Sequence, residues 1–365
     1  MTLPHFSRLT AASVLALVTP HIALADPTFD FYGQLNFGFF NVDDGTESET
    51  FFTDNDNSNT RVGLRYSNDL ASGGTIKFNF ETALGFAGSS SATFADNDLD
   101  LDLSRTDLRK LEIAYVTPAI GTFSLGQGSM SADGVTEADF SGTGVVSYVG
   151  ITDLAGSFQF RPEDGALSGT SIGSTFGAFD GARRLRVRYD TPDLNGFTAS
   201  ASWGEEELNQ DDDRTFTDVG IRYGKDYDGI EVDGRLAYQW IDVDQGENER
   251  ILAGSFAMRH AATGTSVAIA AGRPEESDAS YVYAKFGYQQ NWLSAGSTAL
   301  SFDIYEGDDF SGDSSDSTSY AISAVQRVDA YNLELYASYR TFELDTRGTN
   351  FEDIDLIVVG ARLKF

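Results

Sequence analysis

The sequence predicts an all-β chain closed into a sixteen-stranded antiparallel transmembrane β-barrel. Three observations carry that prediction. Segments of about eight to twelve residues alternate apolar and polar side chains with period two. The connections between them alternate between short and long, and the last segment runs apolar on one face up to the terminal residue, Phe365.

The segments fall at 29–39, 60–67, 75–86, 108–116, 121–128, 183–190, 197–204 and 216–224, then at 230–241, 250–260, 265–272, 280–290, 298–306, 318–327, 332–343 and 354–365. In the first, Phe29, Phe31, Leu35, Phe37 and Phe39 oppose Asp30, Tyr32, Gln34 and Asn36. In the second, Val62, Leu64 and Tyr66 oppose Arg61 and Arg65, and in the third Ile76, Phe78 and Phe80 oppose Lys77, Asn79 and Glu81. Side chains on a strand alternate between its two faces, so each segment presents one apolar and one polar surface. In the final segment Ile357, Val359, Ala361, Leu363 and Phe365 share the apolar face.

Short connections recur at 68–74, 117–120, 191–195, 225–229, 261–264, 291–297 and 328–331, with longer, acidic stretches between them. An even strand number then brings both ends of the array to the short-turn side, as closure requires. A soluble β-sandwich gives similar turn spacing. The two ends of the chain separate the cases. Residues 1–25 hold no acid, one Arg (Arg8), an apolar run from about Leu9 to Val18, and Ala23 and Ala25 before Asp26, the pattern of a cleaved secretory signal. The expected organisation is therefore a signal peptide, 1–25, and a barrel domain, 26–365.

Composition narrows the function. There is no cysteine, so thiol chemistry and disulfides are excluded, and past residue 25 one histidine remains, His260, in an expected tight turn. Lys and Arg total 25 against 56 Asp and Glu, for a net charge of −31, which disfavours a nucleic-acid partner. No stretch reaches the roughly 18 apolar residues of a membrane-spanning helix.

One connection is out of proportion. From Ser129 to Ala182 it spans roughly fifty residues, and loops of that length are functional or disordered. It opens Gly128-Ser129-Met130-Ser131-Ala132-Asp133-Gly134-Val135-Thr136-Glu137-Ala138-Asp139-Phe140. On the strand that follows, Arg184, Arg186 and Arg188 alternate with Leu185, Val187 and Tyr189. A charge on the lipid face at mid-bilayer costs about 2–4 kcal/mol, so these three arginines face the lumen, as do Arg61 and Arg65. Lys77 and Arg222 are weaker additions.

By its position and its Gly-, Asp- and Ser-rich wording, the long connection resembles the third loop of the general porins, especially those of alphaproteobacteria. The resemblance implies that it folds into the barrel, that Asp133, Glu137 and Asp139 line a constriction, and that Arg61, Arg65, Arg184, Arg186 and Arg188 form the opposing wall. A transverse field across such a gap favours small polar solutes. The arginines could instead anchor the loop by salt bridges; widening of the channel in Arg186→Ala is the outcome expected of a wall residue. The terminal strand resembles the closing strand of outer-membrane barrels, in which the barrel-assembly machinery reads an aromatic terminus, here Phe365, with Leu363 two residues before it.

Acidic clusters at Asp54-Asn55-Asp56-Asn57, 96–102, 211–213 and 308–316 fall in expected long loops. Hard oxygen ligands suit Ca²⁺ or Mg²⁺, with Asp54, Asp56, Asp98 and Asp100 as the candidates and lipopolysaccharide phosphates as groups such ions could bridge. No cofactor is otherwise expected. The function these readings converge on is passive diffusion of small hydrophilic solutes and ions across a bacterial outer membrane, by a chain that the resemblance implies is a homotrimer in outer-membrane lipid. An adhesin or binding protein working through acidic loops, and a barrel lipase built on His260, are the alternatives from other classes.

Overall fold

A computed structural model describes residues 27–162, 165–243 and 246–365; the expected signal peptide and its cleavage site lie outside the described residues. The strands are β1 (Thr28–Asp43), β2 (Ser48–Asp54), β3 (Arg61–Asp69), β4 (Thr75–Ala83), β5 (Leu108–Thr117), β6 (Gly121–Ser129), β7 (Arg183–Asp190), β8 (Phe197–Glu205) and β9 (Thr215–Asp226). They continue as β10 (Ile230–Asp242), β11 (Glu249–His260), β12 (Thr265–Pro274), β13 (Ser280–Leu293), β14 (Gly296–Asp308), β15 (Ser315–Val328), β16 (Leu333–Thr346), β17 (Thr349–Asn350) and β18 (Ile354–Lys364).

Each strand pairs antiparallel with its neighbours, and β18 returns to β1, so the sheet closes on itself. Two of the eighteen are not separate staves. β2 and β3 both pair with β1, from Phe37↔Asp54 to Asp43↔Ser48 and from Thr28↔Ser67 to Gln34↔Arg61. They are two halves of one stave interrupted at 55–60. β17 is a two-residue extension on β16. Among the described residues sixteen staves remain, a closed antiparallel barrel. Among the described residues no helix is long and apolar enough to cross a membrane.

Closure runs to the last residue. Gly33 and Phe365 exchange both backbone hydrogen bonds, at 2.9 and 3.0 Å. The Phe365 ring lies 6.1 Å from that of Phe31, over Gly33, where a Cβ would meet it at 2.6 Å. Ile357, Val359, Leu363 and Phe365 are exposed outward while Val358 is fully buried, the division that period two requires.

Two expectations change. The stretch 40–59 is not a long outer loop: β1 runs on to Asp43, turns over four residues and returns as β2. Polar–apolar alternation fades there because Phe40, Val42 and Phe51 face inward and are buried, so both faces are apolar. Consequently the cluster Asp54-Asn55-Asp56-Asn57 lies at the interruption of the second stave rather than on an outer surface. The lumen is also not uniformly polar. Phe40, Val42, Tyr281, Tyr283, Tyr305, Phe342, Ile354 and Leu356 of the wall pack against Val145, Val146, Leu154, Phe158, Phe160, Ile172 and Phe176 of the connection 130–182. Burying one such side chain contributes on the order of 1.5–3 kcal/mol, so the long connection is held inside the barrel by a core of its own.

Deleting Phe365 removes the last pair of ladder bonds at the seam and the ring that covers Gly33. The fraction of chains reaching the heat-modifiable barrel form on gels is expected to fall, while channels that do fold keep the wild-type conductance. A deletion variant that assembles in wild-type yield contradicts this account.

Candidate functional site

The connection between β6 and β7 leaves the wall through a neck in which Met130 N donates to Ala182 O and Gly181 N to Ala132 O, both at 3.1 Å. Among the described residues its backbone inside the barrel joins no ladder of the wall and pairs only at isolated bridges such as Gln159↔Ser171 and Pro162↔Phe351, and unpaired buried amides are costly. Short lumen-facing side chains on successive strands supply the partners. Ser131 N donates to Ser202 Oγ (2.8 Å), Ala132 N to Asp218 Oδ2 (3.2 Å) and Ala138 N to Ser255 Oγ (3.1 Å). Further on, Thr143 Oγ1 meets Ser301 Oγ (2.7 Å), Ser147 Oγ donates to Asp303 (2.5 Å) and Ser317 Oγ donates to Thr175 O (2.8 Å). The loop therefore finds hydrogen-bonding groups on β8, β9, β11, β14 and β15, with Arg235 of β10 donating to Gly134 O and Lys285 of β13 to Ser147 O.

Two buried ion pairs fix its middle. Lys285 Nζ lies 2.9 Å from Asp139 Oδ2 and donates to Ser147 O at 2.6 Å. Arg340 and Asp303, both with fully buried side chains, pair at 2.7 Å, and Asp303 holds Ser147 in turn. Burial acts to raise the Asp139 pKa, but the Lys285 ammonium and the hydrogen bonds from Lys285 and Ser141 hold it below the usual carboxylate value.

The space the loop leaves open is a cavity of about 840 Å³. One set of lining groups is acidic and comes largely from the loop: Asp133, Glu137, Asp139, Asp153 and Asp180, with Asp56 from the stave interruption. The other is basic and comes from the wall: Arg61, Arg109, Arg183 and Arg362, with Glu334 among them. Arg61 and Arg109 share Glu81, at 3.7 and 2.7 Å; Arg183 approaches Asp133 at 3.8 Å; Arg362 pairs with Glu334 at 2.5 Å. Burial, reinforced by Asp180 and Asp133 nearby, pushes Glu137 up to about 7. Burial likewise raises Asp180 to about 6 against the hydrogen bonds it accepts from Thr136 and Gly134, and Asp153 to about 6 against its bond from the Tyr148 hydroxyl.

The expected site residues divide. Asp133, Glu137, Asp139 and Arg61 come together around the cavity. Arg184, Arg186 and Arg188 do face inward, since Leu185 and Val187 are exposed on the other side, but they do not reach it. Arg186 is buried, bonded to the Glu112 carboxylate and to Ser129 O; Arg188 donates to Met130 O at 2.7 Å and pairs with Asp190; Arg184 pairs with Glu206 and lies over the Phe216 ring. The part of the lumen they face adjoins the loop's neck: Arg186 and Arg188 bond carbonyls there, while Arg188 and Arg184 line smaller cavities of about 280 and 240 Å³. Arg65 is largely exposed, paired with Asp30 and stacked on Tyr32; Arg222 pairs with Asp233; Lys77 is exposed.

Arg109, Arg183, Arg362 and Asp180 escaped the sequence reading. Arg109 has the parity of a lipid-facing residue on β5. A register shift between Glu81 and Thr82 skips it, and such a bulge turns a side chain to the other face. Arg183 likewise has outward parity but begins its strand at the loop's neck. Arg362 stands on the water face with Gly360, a signal already visible in the terminal strand. Asp180 is distant in sequence from the acidic run yet accepts from Gly134 N (2.7 Å) and Thr136 N (2.9 Å).

The metal candidates are dispersed. Asp54 accepts from Thr60 N, Thr60 Oγ1 and Asn55 N, and Asp56 from Ser90 N and Oγ, while Asp98 and Asp100 lie on the exposed β4–β5 connection. Among the described residues no three or more His, Asp or Glu side chains converge as a metal site would require. His260 ends β11, exposed, with Nδ1 2.8 Å from Thr263 Oγ1.

A family profile described as Gram-negative porin matches residues 11–347. No curated relative matches by sequence. Among solved structures the chain is similar to the anion-selective porin of Comamonas acidovorans, at 15% identity over 93% of this chain and 100% of that one, with TM-score 0.59. It is similar to OmpF of Salmonella typhi, solved with daunomycin, at 15% identity over 92% and 97%, TM-score 0.57. OmpT of Vibrio cholerae in its trimer form matches at 14% identity over 93% and 99%, TM-score 0.56. At such identities the likeness is one of fold.

Lys285→Met removes the cation that neutralises Asp139 and leaves a carboxylate without its partner beside the loop. Breaking one side of a buried pair costs about 3–5 kcal/mol. The urea midpoint of the folded barrel is expected to fall, and open-channel current noise to rise as the loop loosens. Wild-type values for both would show that the pair does not hold the loop.

Proposed function

The chain belongs to the Gram-negative porin family, whose members are diffusion channels of the bacterial outer membrane, and from that premise we propose that its selectivity is set in the 840 Å³ cavity between the loop carboxylates and the arginine wall. The observation that carries this is the sorting of charge. Asp133, Glu137 and Asp180 of the long connection and Arg61, Arg109 and Arg183 of the wall strands line one water-accessible cavity. Fixed opposite charges across a gap orient dipolar solutes and raise the cost of passing apolar ones. Small hydrophilic solutes are the cargo this arrangement suits.

Ion preference follows from which charges are compensated. Arg61 and Arg109 share the single carboxylate of Glu81, which leaves one positive charge over, and Arg362 pairs with Glu334. Asp139 is offset by Lys285. Glu137, Asp153 and Asp180 have no cation within salt-bridge distance among the described residues, so at neutral and alkaline pH they tip the cavity towards cations.

We also propose a homotrimer in the outer-membrane lipid. Outward of the barrel, Phe37 stacks on Phe52 and meets Phe86 edge-on, with ring centroids 5.6 and 5.1 Å apart. Beside them the β4–β5 connection carries Leu99, Leu101 and Leu103, of which Leu101 and Leu103 are more than 60% exposed. Loop leucines presented to water are stabilised when a neighbouring copy covers them. The assembly signal at Phe365 and Leu363 belongs to the same reading.

Two outcomes test these proposals. Purified protein in a planar bilayer is expected to conduct, and its cation preference to fall as pH drops from 8 to 5, because Glu137, Asp180 and Asp153 are charged above and neutral below pKa values of about 7, 6 and 6. The reversal potential should move towards the anion potential with its midpoint between those values; a pH-independent potential refutes the assignment, and absence of conductance refutes the channel. For the assembly, Leu101→Asp/Leu103→Asp is expected to shift native mass from three copies to one; a trimer that survives the double substitution places its interface elsewhere.

A further inference from the structure

The second stave is broken at mid-length. Gln34 of β1 pairs with Arg61 and Phe37 pairs with Asp54, so two residues of β1, Leu35 and Asn36, face six residues, 55–60, of the partner. The excess is folded into a 3₁₀ turn at Asp56–Ser58, and it goes inward: Asp56, Asn57, Ser58 and Asn59 line the same cavity as the loop acids and Arg61.

This insertion is built rather than loose. At its base the Asp54 carboxylate accepts from Thr60 N at 2.8 Å and Thr60 Oγ1 at 2.8 Å, and Asn36 N donates to Thr60 Oγ1 at 3.0 Å, so the ladder resumes across the gap. Asn55 Oδ1 caps the turn by accepting from Asn57 N at 3.1 Å. From the wall, Gln34 Nε2 donates to Ser58 O (2.5 Å) and Asn59 O (2.9 Å), and Arg362 to Ser58 Oγ (2.9 Å). The turn also clasps the long loop: the buried Asn55 donates from Nδ2 to Val145 O at 3.0 Å, while Ser89 Oγ, which accepts from Asp56 N, donates to Asp153 O at 2.5 Å.

We propose that the 55–60 insertion is a second constriction element, mounted on the barrel wall, which narrows the channel with the uncharged side chains of Asn57 and Asn59 and holds the long loop at its working position through Asn55. A β-strand that merely continued from Asp54 to Arg61 would satisfy the same ladder with four fewer residues. Strand irregularities of this kind re-aim side chains and mark functional positions. The Asn57 Oδ1 atom is buried and accepts no hydrogen bond, a polar group without the satisfaction that a purely structural turn provides. The neutral amides sit between Asp56 and Arg61 at the cavity edge, so they reduce its width without adding to the field.

The inference rests on the channel reading, and the experiment separates the two. Wild type, Asn57→Ala/Asn59→Ala and Asn55→Asp are compared as heat-modifiable barrels, by single-channel conductance and by liposome swelling with a monosaccharide and a trisaccharide. Asn55→Asp keeps the oxygen that caps Asn57 and removes the donor to Val145. Truncating the two amides is expected to raise conductance about 1.5-fold, since the narrowest water-filled section limits it, and to raise trisaccharide entry relative to monosaccharide. Asn55→Asp is expected to raise open-channel noise at a nearly constant mean conductance. Folded variants with wild-type conductance, sugar ratio and noise overturn the second constriction, whereas a wild-type protein that neither conducts nor swells liposomes overturns the channel itself.

Discussion

The structure depends on hydrogen-bonding the backbone of a loop that runs through the inside of a barrel. Among its described residues the segment from 130 to 182 pairs there only at isolated bridges, and each unsatisfied amide would cost about 1–3 kcal/mol. The wall answers with hydroxyls and carboxylates on lumen-facing positions, Ser202, Asp218, Ser255, Ser301, Asp303 and Ser317. It also answers with space: at Gly287 a Cβ would lie 2.6 Å from that of Ser141, so only glycine lets the loop backbone come so close. The loop's course is thus written into the small residues of strands far from it in sequence.

That same satisfaction decides which charges reach water. Arg186 and Arg188 spend their donors on Ser129 O, Met130 O, Glu112 and Asp190, and Lys285 and Arg340 theirs on Asp139, Ser147 and Asp303. Charge used to seat the loop is largely neutralised and desolvated. What remains at the cavity is a smaller set: Glu137, Asp153 and Asp180, whose pKa values burial raises, and Arg61, Arg109 and Arg183. Anchoring contacts and cavity lining thus fall to different arginines, Arg186 and Arg188 for the first and Arg61, Arg109 and Arg183 for the second.

Most of the barrel was legible because lipid enforces one rule on every outward residue. Leu185, Val187, Ile357, Val359 and Phe365 obey it, and so the strands could be read one by one. Inward positions answer to whatever fills the lumen next to them, which no periodicity reports. Phe40 and Phe51 are buried against the loop core, and their apolar character blurred the alternation that would have revealed β2. Arginines 184, 186 and 188 had the right face but a neighbour, the loop neck, whose path depends on residues such as Ser202 and Asp218 that nothing in the local sequence connects to it.

Where parity breaks, function collects. Arg109 enters the cavity because a bulge skips it in the β4–β5 register, Arg183 because it begins its strand at the neck, and Asp56 to Asn59 because the second stave is interrupted. A regular strand carries a group no further from the wall than one side chain reaches, as Arg61 and Arg362 do. Reaching towards the channel axis takes backbone that has left the ladder, and such backbone is tolerated at membrane depth only where protein or a water-filled cavity surrounds it. At membrane depth such irregularities therefore belong on the lumen side, and here they bring Arg109 and Asn57, like Glu137 of the long connection, to the lining of one cavity.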